Sequence, residues 1–403
     1  MRESAAEEED GRMGVDAQGL EREARGLLHP EVYDFIAGGS GQERTLRANA
    51  QAWRQVRLLP RVLRDVASVD TSVEVLGSPL ATPIGVAPTA AHRMVHQDGE
   101  VATASGAARA GALYVLSTRS SRRIEDVAAV LAAAGGMWWF QAYVMRDRKL
   151  TAGLVRRAAT AGASAVVLTG DTPVVGRKRR DRGGRFIDGQ DFLANIGSLP
   201  NQDDAEQAAD LTFDDIGWLG EVSGGLPVIV KGVLRPDDAL ACASQGAAGV
   251  IVSNHGGRQL DGAVPTADAL PAVLAALGIG QAELSGRAVA GGHMRVARAA
   301  GHAAPVRAAG PGAAAGASGL PEVTGAGCEV YVDGGLRSGG DVLAALALGA
   351  RAVFVGRPVL WALAAGGTRG VSDLLTGLTG ELAHAMALSG TAEVAELPGL
   401  VAK

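Results

Sequence analysis

The stretch "AGVIVSNHGGRQLDG" (248–262) decides how the chain is read. Its first half is β-branched and apolar without a polar break, as a strand buried on both faces requires. It then turns at once into Ser253, Asn254, His255, two glycines and Arg258. A buried strand that delivers a histidine and an arginine at one end suits a fold that gathers its chemistry at strand ends.

Seven more runs share this character: "PIGVAP" (83–88), "LYVLS" (113–117), "WWFQAY" (138–143), "AVVLTGD" (165–171), "LPVIVKG" (226–232), "CEVYVDGG" (328–335) and "RAVFVGR" (351–357). Ala-rich helical stretches separate most of them, such as 98–111, 266–277 and 339–349. Strands alternating with helices imply right-handed βαβ units and a parallel sheet. Eight such units predict a closed (β/α)8 TIM barrel over residues 81–400, with its active site at the C-terminal ends of the strands.

Around the barrel, residues 1–16 read as an acidic, polar tail without the basic start and apolar run of a secretory signal. Residues 17–80 read as a short N-terminal helical element, with "LEREARGLLHPEVYDFIAGGSG" (20–41) forming two helical pieces stopped by glycines. Two loop insertions interrupt the barrel: a polar, lid-like loop at 176–215 and a low-complexity Ala/Gly/Arg segment at 286–327. The second holds Gly310, Gly312 and Gly316, which imitate a dinucleotide fingerprint but lack the preceding strand and the following acid. His293 and His302, in the same segment, read as solvated residues.

Hydrophobic content of 47% with 20% charged residues describes a soluble globular protein with a substantial core. A net charge of −5 offers nothing to nucleic acid. No apolar run approaches the roughly 18–20 residues that cross a bilayer. Cys242 and Cys328 are too few for a disulfide framework or a metal cluster; they read as core residues of a protein in the cytoplasm.

The strand ends collect polar groups. The last two carry glycine–arginine pairs, "DGGLRSGG" (333–340) and "GRP" (356–358), where barrels commonly bind phosphate. Gly334, Gly335 and Gly356 admit an anion close to the backbone, and Arg337 and Arg357 neutralise it. Lys231 ends an apolar strand, where its ammonium needs an anionic partner. That partner is either an electron-rich flavin edge, with Ser117, Gln141 and Thr169 bonding the rest of the ring, or Asp171 or Asp333 in a structural ion pair. His255 is the natural proton acceptor and Asp171 can orient it. Arg258 can take a carboxylate, and Tyr33 and Tyr143 a substrate oxygen. Together these groups suit removal of a proton and a hydride equivalent from a 2-hydroxy acid.

At this point the residues resemble a known family, the FMN-dependent 2-hydroxy acid oxidases and dehydrogenases. "SNHGGRQLD" (253–261) is its active-site motif, supported by "APTA" (87–90), "LTGDTP" (168–173), "VKG" (230–232), "DGGLRSG" (333–339) and "GRP". "DFIAGGSG" (34–41), "RQLDGAVP" (258–265) and "LWALAAGG" (360–367) look most like its hydroxymandelate oxidase branch. The resemblance implies that His255 is the base, with Asp171 as partner, and that Arg258, Tyr33 and Tyr143 hold the substrate. It implies FMN held by Pro88, Thr89, Ala90, Ser117, Gln141, Thr169, Lys231, Ser253, Asp333, Gly335, Arg337, Gly356 and Arg357. It further implies oxygen as electron acceptor, no membrane partner and a homo-oligomer, a tetramer.

Three positions depart from the family. Seven residues after Asp171, where a second substrate-binding arginine is usual, stands Lys178, preceded by Arg177. Lysine keeps the charge and loses the planar fork. Arg119 stands where glycolate oxidase has an aromatic residue, and the segment 286–327 is atypical. A flavin protein without hydroxy acid turnover, a dehydrogenase using another acceptor and a sugar-phosphate-binding barrel are the alternatives.

Overall fold

In the computed structural model, residues 16–180, 194–197, 206–279 and 327–402 are described. The acidic tail up to residue 15, the middle of the lid-like loop and nearly all of 286–327, with His293, His302 and the three glycines, lie outside the described residues.

All eight predicted strands form, and they close a parallel barrel: β3 (Ile84–Val86), β4 (Tyr114–Ser117), β5 (Trp138–Ala142), β6 (Val166–Thr169), β7 (Val228–Val233), β8 (Gly249–Val252), β9 (Glu329–Asp333) and β10 (Ala352–Val355). Neighbours in the barrel are neighbours in the chain, with β10 returning to β3. A helix follows each strand, from Glu100–Arg109 after β3 to Arg357–Leu388 after β10.

The strands lack alternation because both of their faces are buried. Val115, Trp139, Val167, Ile229, Ile251, Tyr331 and Phe354 fill the barrel interior, where Trp139, Tyr331 and Phe354 meet at ring distances of 5.4–5.9 Å. Their sequence neighbours, such as Tyr114, Phe140, Leu168 and Val250, pack outward against the helices. Cys242 and Cys328 belong to this outer core, where burial pushes their thiols up to about 12 and about 11.

The N-terminal element is richer than two helical pieces. It holds α1 (Ala17–Leu27), α2 (Pro30–Ala37), α3 (Arg44–Gln55) and a hairpin of β1 (Val73–Val75) and β2 (Ser78–Leu80). Val75 and Leu80 of the hairpin join the barrel's interior cluster, and Glu329, at the start of β9, accepts a hydrogen bond from Leu76 N–H (3.1 Å). The hairpin thus plugs the N-terminal end, leaving the opposite end for chemistry. No helix among the described residues is long and apolar enough to cross a membrane.

Candidate active site

Register places the polar strand ends side by side. Ser117 pairs with Gln141 across β4 and β5, and Thr169 with Lys231 across β6 and β7. Side chains then complete a line: Ser117 Oγ donates to Gln141 Oε1 (3.0 Å), and Gln141 Nε2 donates to Thr169 Oγ1 (2.9 Å). A bulge between Lys231 and Val233 shifts the β7–β8 register beside this line, before the last pair of Val233 with Val252, as bulges do where a site re-aims a side chain.

Lys231 forms the ion pair that is one of its two sequence readings, with Asp333 as the partner, and it still lines the pocket. Its ammonium pairs with Asp333 Oδ2 (3.2 Å) and donates to Ser253 Oγ (2.9 Å), yet Lys231 and Asp333 both line the pocket at this end of the barrel. Burial disfavours the charge, but Asp333, Asp171 and Tyr143 outweigh it and raise the pKa, so the group stays protonated. Asp333 Oδ1 is buried without a hydrogen-bond partner, a position that suits a ligand donor.

His255 lies on the same pocket wall with a left-handed backbone, φ +58°, a strained state for a residue with a Cβ. Ser253 Oγ accepts its N–H (3.0 Å), and its Nδ1 lies 3.0 Å from Asp171 Oδ1. Burial alone would raise the Asp171 pKa; His255, Lys231 and Thr172 reverse this and hold it down at about 2, from an ordinary 3.8. A carboxyl depressed in the fold stabilises fully above its unfolded value and loses that contribution as pH falls toward the folded one. Roughly 2 kcal/mol should therefore disappear between pH 4 and 2. In urea unfolding across this range, Asp171→Asn removes that part of the decline.

Tyr143 faces the same centre: its hydroxyl senses Lys231, Asp171, Arg258 and Arg119, and burial raises its pKa, which keeps it a neutral donor. Arg258 Nη1 donates to the carbonyls of Phe35 (2.8 Å), Ile36 (3.3 Å) and Gly38 (3.1 Å) at the end of α2, and its guanidinium lies over the Phe35 ring. Lys178 is half-buried and bridges Ser40 in antiparallel fashion, whereas Arg177 is exposed. Tyr33 stands apart from this group. Its hydroxyl donates to Glu21 (3.1 Å) and its ring stacks on Trp361.

Three residues that sequence reading passed over hold the motif in shape. Asn254 and Asn49 exchange side-chain hydrogen bonds (2.7 and 2.8 Å), tying the β8 loop to α3. Gln259 Nε2 donates to the Asp171 carbonyl (2.8 Å) and so links the histidine's loop to the loop of its partner. Asn254 and Gln259 lay inside the quoted motif; nothing local marks Asn49.

The pocket, with about 540 Å³ of empty space open to solvent, is lined by Pro88, Thr89, Gly335, Arg337, Gly356 and Arg357 besides Lys231, His255 and Asp333. Ala90 follows Thr89 on the β3 loop. Gly335 is left-handed (φ +93°), and a Cβ there would strike the Asn49 backbone at 2.7 Å, so only glycine builds this wall. Burial, then the neighbouring Arg258 and Arg337, push Arg357 down to about 9; Arg337 is lowered by burial. Arg357 donates to the carbonyls of Ile36 (2.9 Å), Gly256 (3.0 Å) and Gly38 (3.0 Å), and two neighbouring cations on one pocket wall suit an anion such as FMN's phosphate. The residues present therefore fit FMN: Arg337 and Arg357 would be available to its phosphate, and the polar line from Ser117 to Lys231 to its ring. Arg357→Met should weaken FMN binding about 10–100-fold while leaving riboflavin affinity nearly unchanged, as fluorescence titration would show.

Comparison with known proteins agrees. The family model described as FMN-dependent dehydrogenase matches residues 24–301 and 309–403, so the only internal gap is a short piece of the segment read as an insertion. The 4-hydroxymandelate oxidase of Amycolatopsis orientalis is 40% identical over 392 residues, 94% of this chain and 96% of that protein. An L-lactate oxidase of Nostoc sp. is 37% identical, covering 94% of each. A solved mandelate oxidase with (S)-4-hydroxymandelic acid superposes with a TM-score of 0.78 at 40% identity, over 95% of this chain and 97% of that one. With the barrel, the motif order and the full-length match in agreement, the chain belongs to the FMN-dependent dehydrogenase family.

Proposed function

We propose that the protein oxidises an aryl 2-hydroxy acid, of the mandelate or 4-hydroxymandelate type, to the 2-oxo acid. The observation that carries this reading is the 3.0 Å pair of His255 and Asp171 on a pocket it shares with the buried ammonium of Lys231. FMN, when bound, would supply two-electron acceptance, and with oxygen as the final acceptor the balance is hydroxy acid plus oxygen to oxo acid plus hydrogen peroxide.

The chain's own residues do the rest. An ionised Asp171 only accepts, so the hydrogen of neutral His255 sits on Nδ1 and the Nε2 lone pair is left for the substrate's proton. Once His255 is protonated, the adjacent carboxylate offsets its charge. Tyr143 donates to a substrate oxygen. Arg258 binds the carboxylate with Lys178 as a second positive charge; without a fork at 178, Arg258 carries the directional part. Lys178 is favoured over Arg177 by its burial. Tyr33 joins the substrate by exchanging its bond to Glu21 for one to the carboxylate. Pro88, Thr89, Ala90, Ser117, Gln141, Thr169 and Ser253 hold the ring side of FMN, and Lys231 holds a fixed positive charge toward it. Gly335, Arg337, Gly356 and Arg357 would serve its phosphate side, and Asp333, an acceptor, would take a hydroxyl of the chain that joins ring to phosphate.

The aryl preference draws on the likeness to 4-hydroxymandelate and mandelate oxidases. The family resemblance further supports a cytoplasmic homotetramer. In aerobic assays, kcat/KM for (S)-4-hydroxymandelate should exceed that for glycolate by about tenfold or more, with peroxide and oxo acid formed in equal amounts. A preference for glycolate, or turnover without oxygen uptake, contradicts the proposal.

A further inference from the structure

Three backbone segments meet on the substrate side of the barrel: 38–43 after α2, 176–180 after β6 and 256–259 after β8. Ser40 N–H donates to the Gly257 carbonyl (2.9 Å), and the Ser40 hydroxyl donates to the Arg258 carbonyl. Gly41 N–H donates to the Arg177 carbonyl (3.0 Å), and Gly176 N–H to Gln259 Oε1 (3.0 Å). The fit is close enough that a Cβ at Gly176 would collide with the Arg258 carbonyl oxygen and the Ser40 hydroxyl.

One ion pair crosses this junction. Arg180 Nη2 donates to Glu43 Oε2 (2.6 Å), and its Nη1 lies 3.8 Å from Asp34 Oδ1 on α2. The other oxygen of Glu43 accepts from Gly39 N–H (3.1 Å). Glu43 keeps a left-handed backbone, φ +60°, although it is not glycine, and such strain persists only where surrounding contacts over-determine it. The α2 end reached by this pair is the one whose carbonyls hold Arg258. Lys178 stands two residues before Arg180 on the same segment.

We infer that Arg180 is a positioning residue for substrate binding: paired with Glu43, it fixes Lys178 at a set separation from Arg258, so that the two cations meet a carboxylate already arranged. Sequence reading weighed Arg177 and Lys178 and passed over Arg180, whose partner Glu43 lies 137 positions away. A half-exposed ion pair contributes little stability of its own; its effect is geometric and appears in ligand affinity. The inference rests on the carboxylate site proposed above.

The test uses FMN-loaded wild type, Arg180→Met, Arg180→Lys, Glu43→Gln and the Glu43→Gln/Arg180→Met double variant. Benzoate, a carboxylate with no hydroxyl to oxidise, is titrated against the flavin absorbance band. Arg180→Met should raise the benzoate Kd and the hydroxy acid KM about tenfold, with kcat and FMN affinity within about twofold of wild type. Arg180→Lys should lie between, Glu43→Gln should match Arg180→Met, and the double variant should be no worse than either single, as coupling through one contact requires. If Arg180→Met does not fold, Arg180→Lys and Glu43→Gln carry the same comparison. Equal benzoate affinity in wild type and variants overturns the role of Arg180, as does a joint fall of kcat, FMN affinity and KM performance with additive singles. No benzoate binding by wild type overturns both the carboxylate site and Arg180's part in it. Wild type that binds benzoate but is reduced by no 2-hydroxy acid overturns the proposed oxidation alone.

Discussion

Replacing His255 with asparagine should lower the rate of hydroxy acid oxidation by about 10²–10⁴-fold, the usual contribution of a positioned base, while FMN remains bound. Asparagine is the informative substitution because position 255 is left-handed, φ +58°. Among residues with a side chain, asparagine tolerates that region well, whereas alanine adds backbone strain to the loss of the imidazole. The Ser253 hydroxyl can still accept the N–H of residue 255, so the loop keeps its anchor. Stopped-flow flavin reduction separates the outcomes: FMN content should match wild type, and only the reduction step should slow. A variant retaining most of the wild-type reduction rate would remove His255 from the chemistry.

Lys231→Met should be the most damaging change to the fold of the site. Its ammonium is 4% exposed and pairs with an Asp333 that is 8% exposed. Removing one member of such a pair strands the other charge and costs about 3–5 kcal/mol. Asp333 has no reserve to absorb this, since its second oxygen is already buried without a partner. The expected result is a lower urea midpoint and loss of FMN during gel filtration. Adding Asp333→Asn to Lys231→Met should restore part of the stability, because the stranded charge goes with it, but not FMN binding. Equal midpoints for wild type and Lys231→Met would show that the pair is not a buried one in solution.

The barrel was legible because its strands are buried on two sides. Continuous runs such as "AVVLTGD" and "AGVIVSN" admit few other folds when eight of them alternate with helices, and observed boundaries lie within three residues of those read. The rim was legible for the same reason: Thr169, Lys231, Ser253 and Asp333 are polar groups at the ends of apolar strands. What escaped reading depends on partners distant in sequence. The β1–β2 hairpin has only three residues in each strand and owes its place to the barrel interior it plugs. Helix α3 is mostly polar, and nothing in it announces that Trp53 and Asn49 meet Gly334 and Asn254. Tyr33 shows a partner that its motif does not announce: its hydroxyl donates to Glu21, the bond it would exchange for a substrate contact.

The decisive measurement is an anaerobic absorbance titration of the FMN-loaded protein with (S)- and (R)-mandelate, 4-hydroxymandelate, lactate and glycolate. An aryl 2-hydroxy acid should bleach the flavin band in equal amount to the flavin present, and readmitted air should restore the band. With FMN demonstrably bound, a band left unchanged by all five acids would contradict the oxidation proposed for the pocket of His255, Asp171 and Lys231.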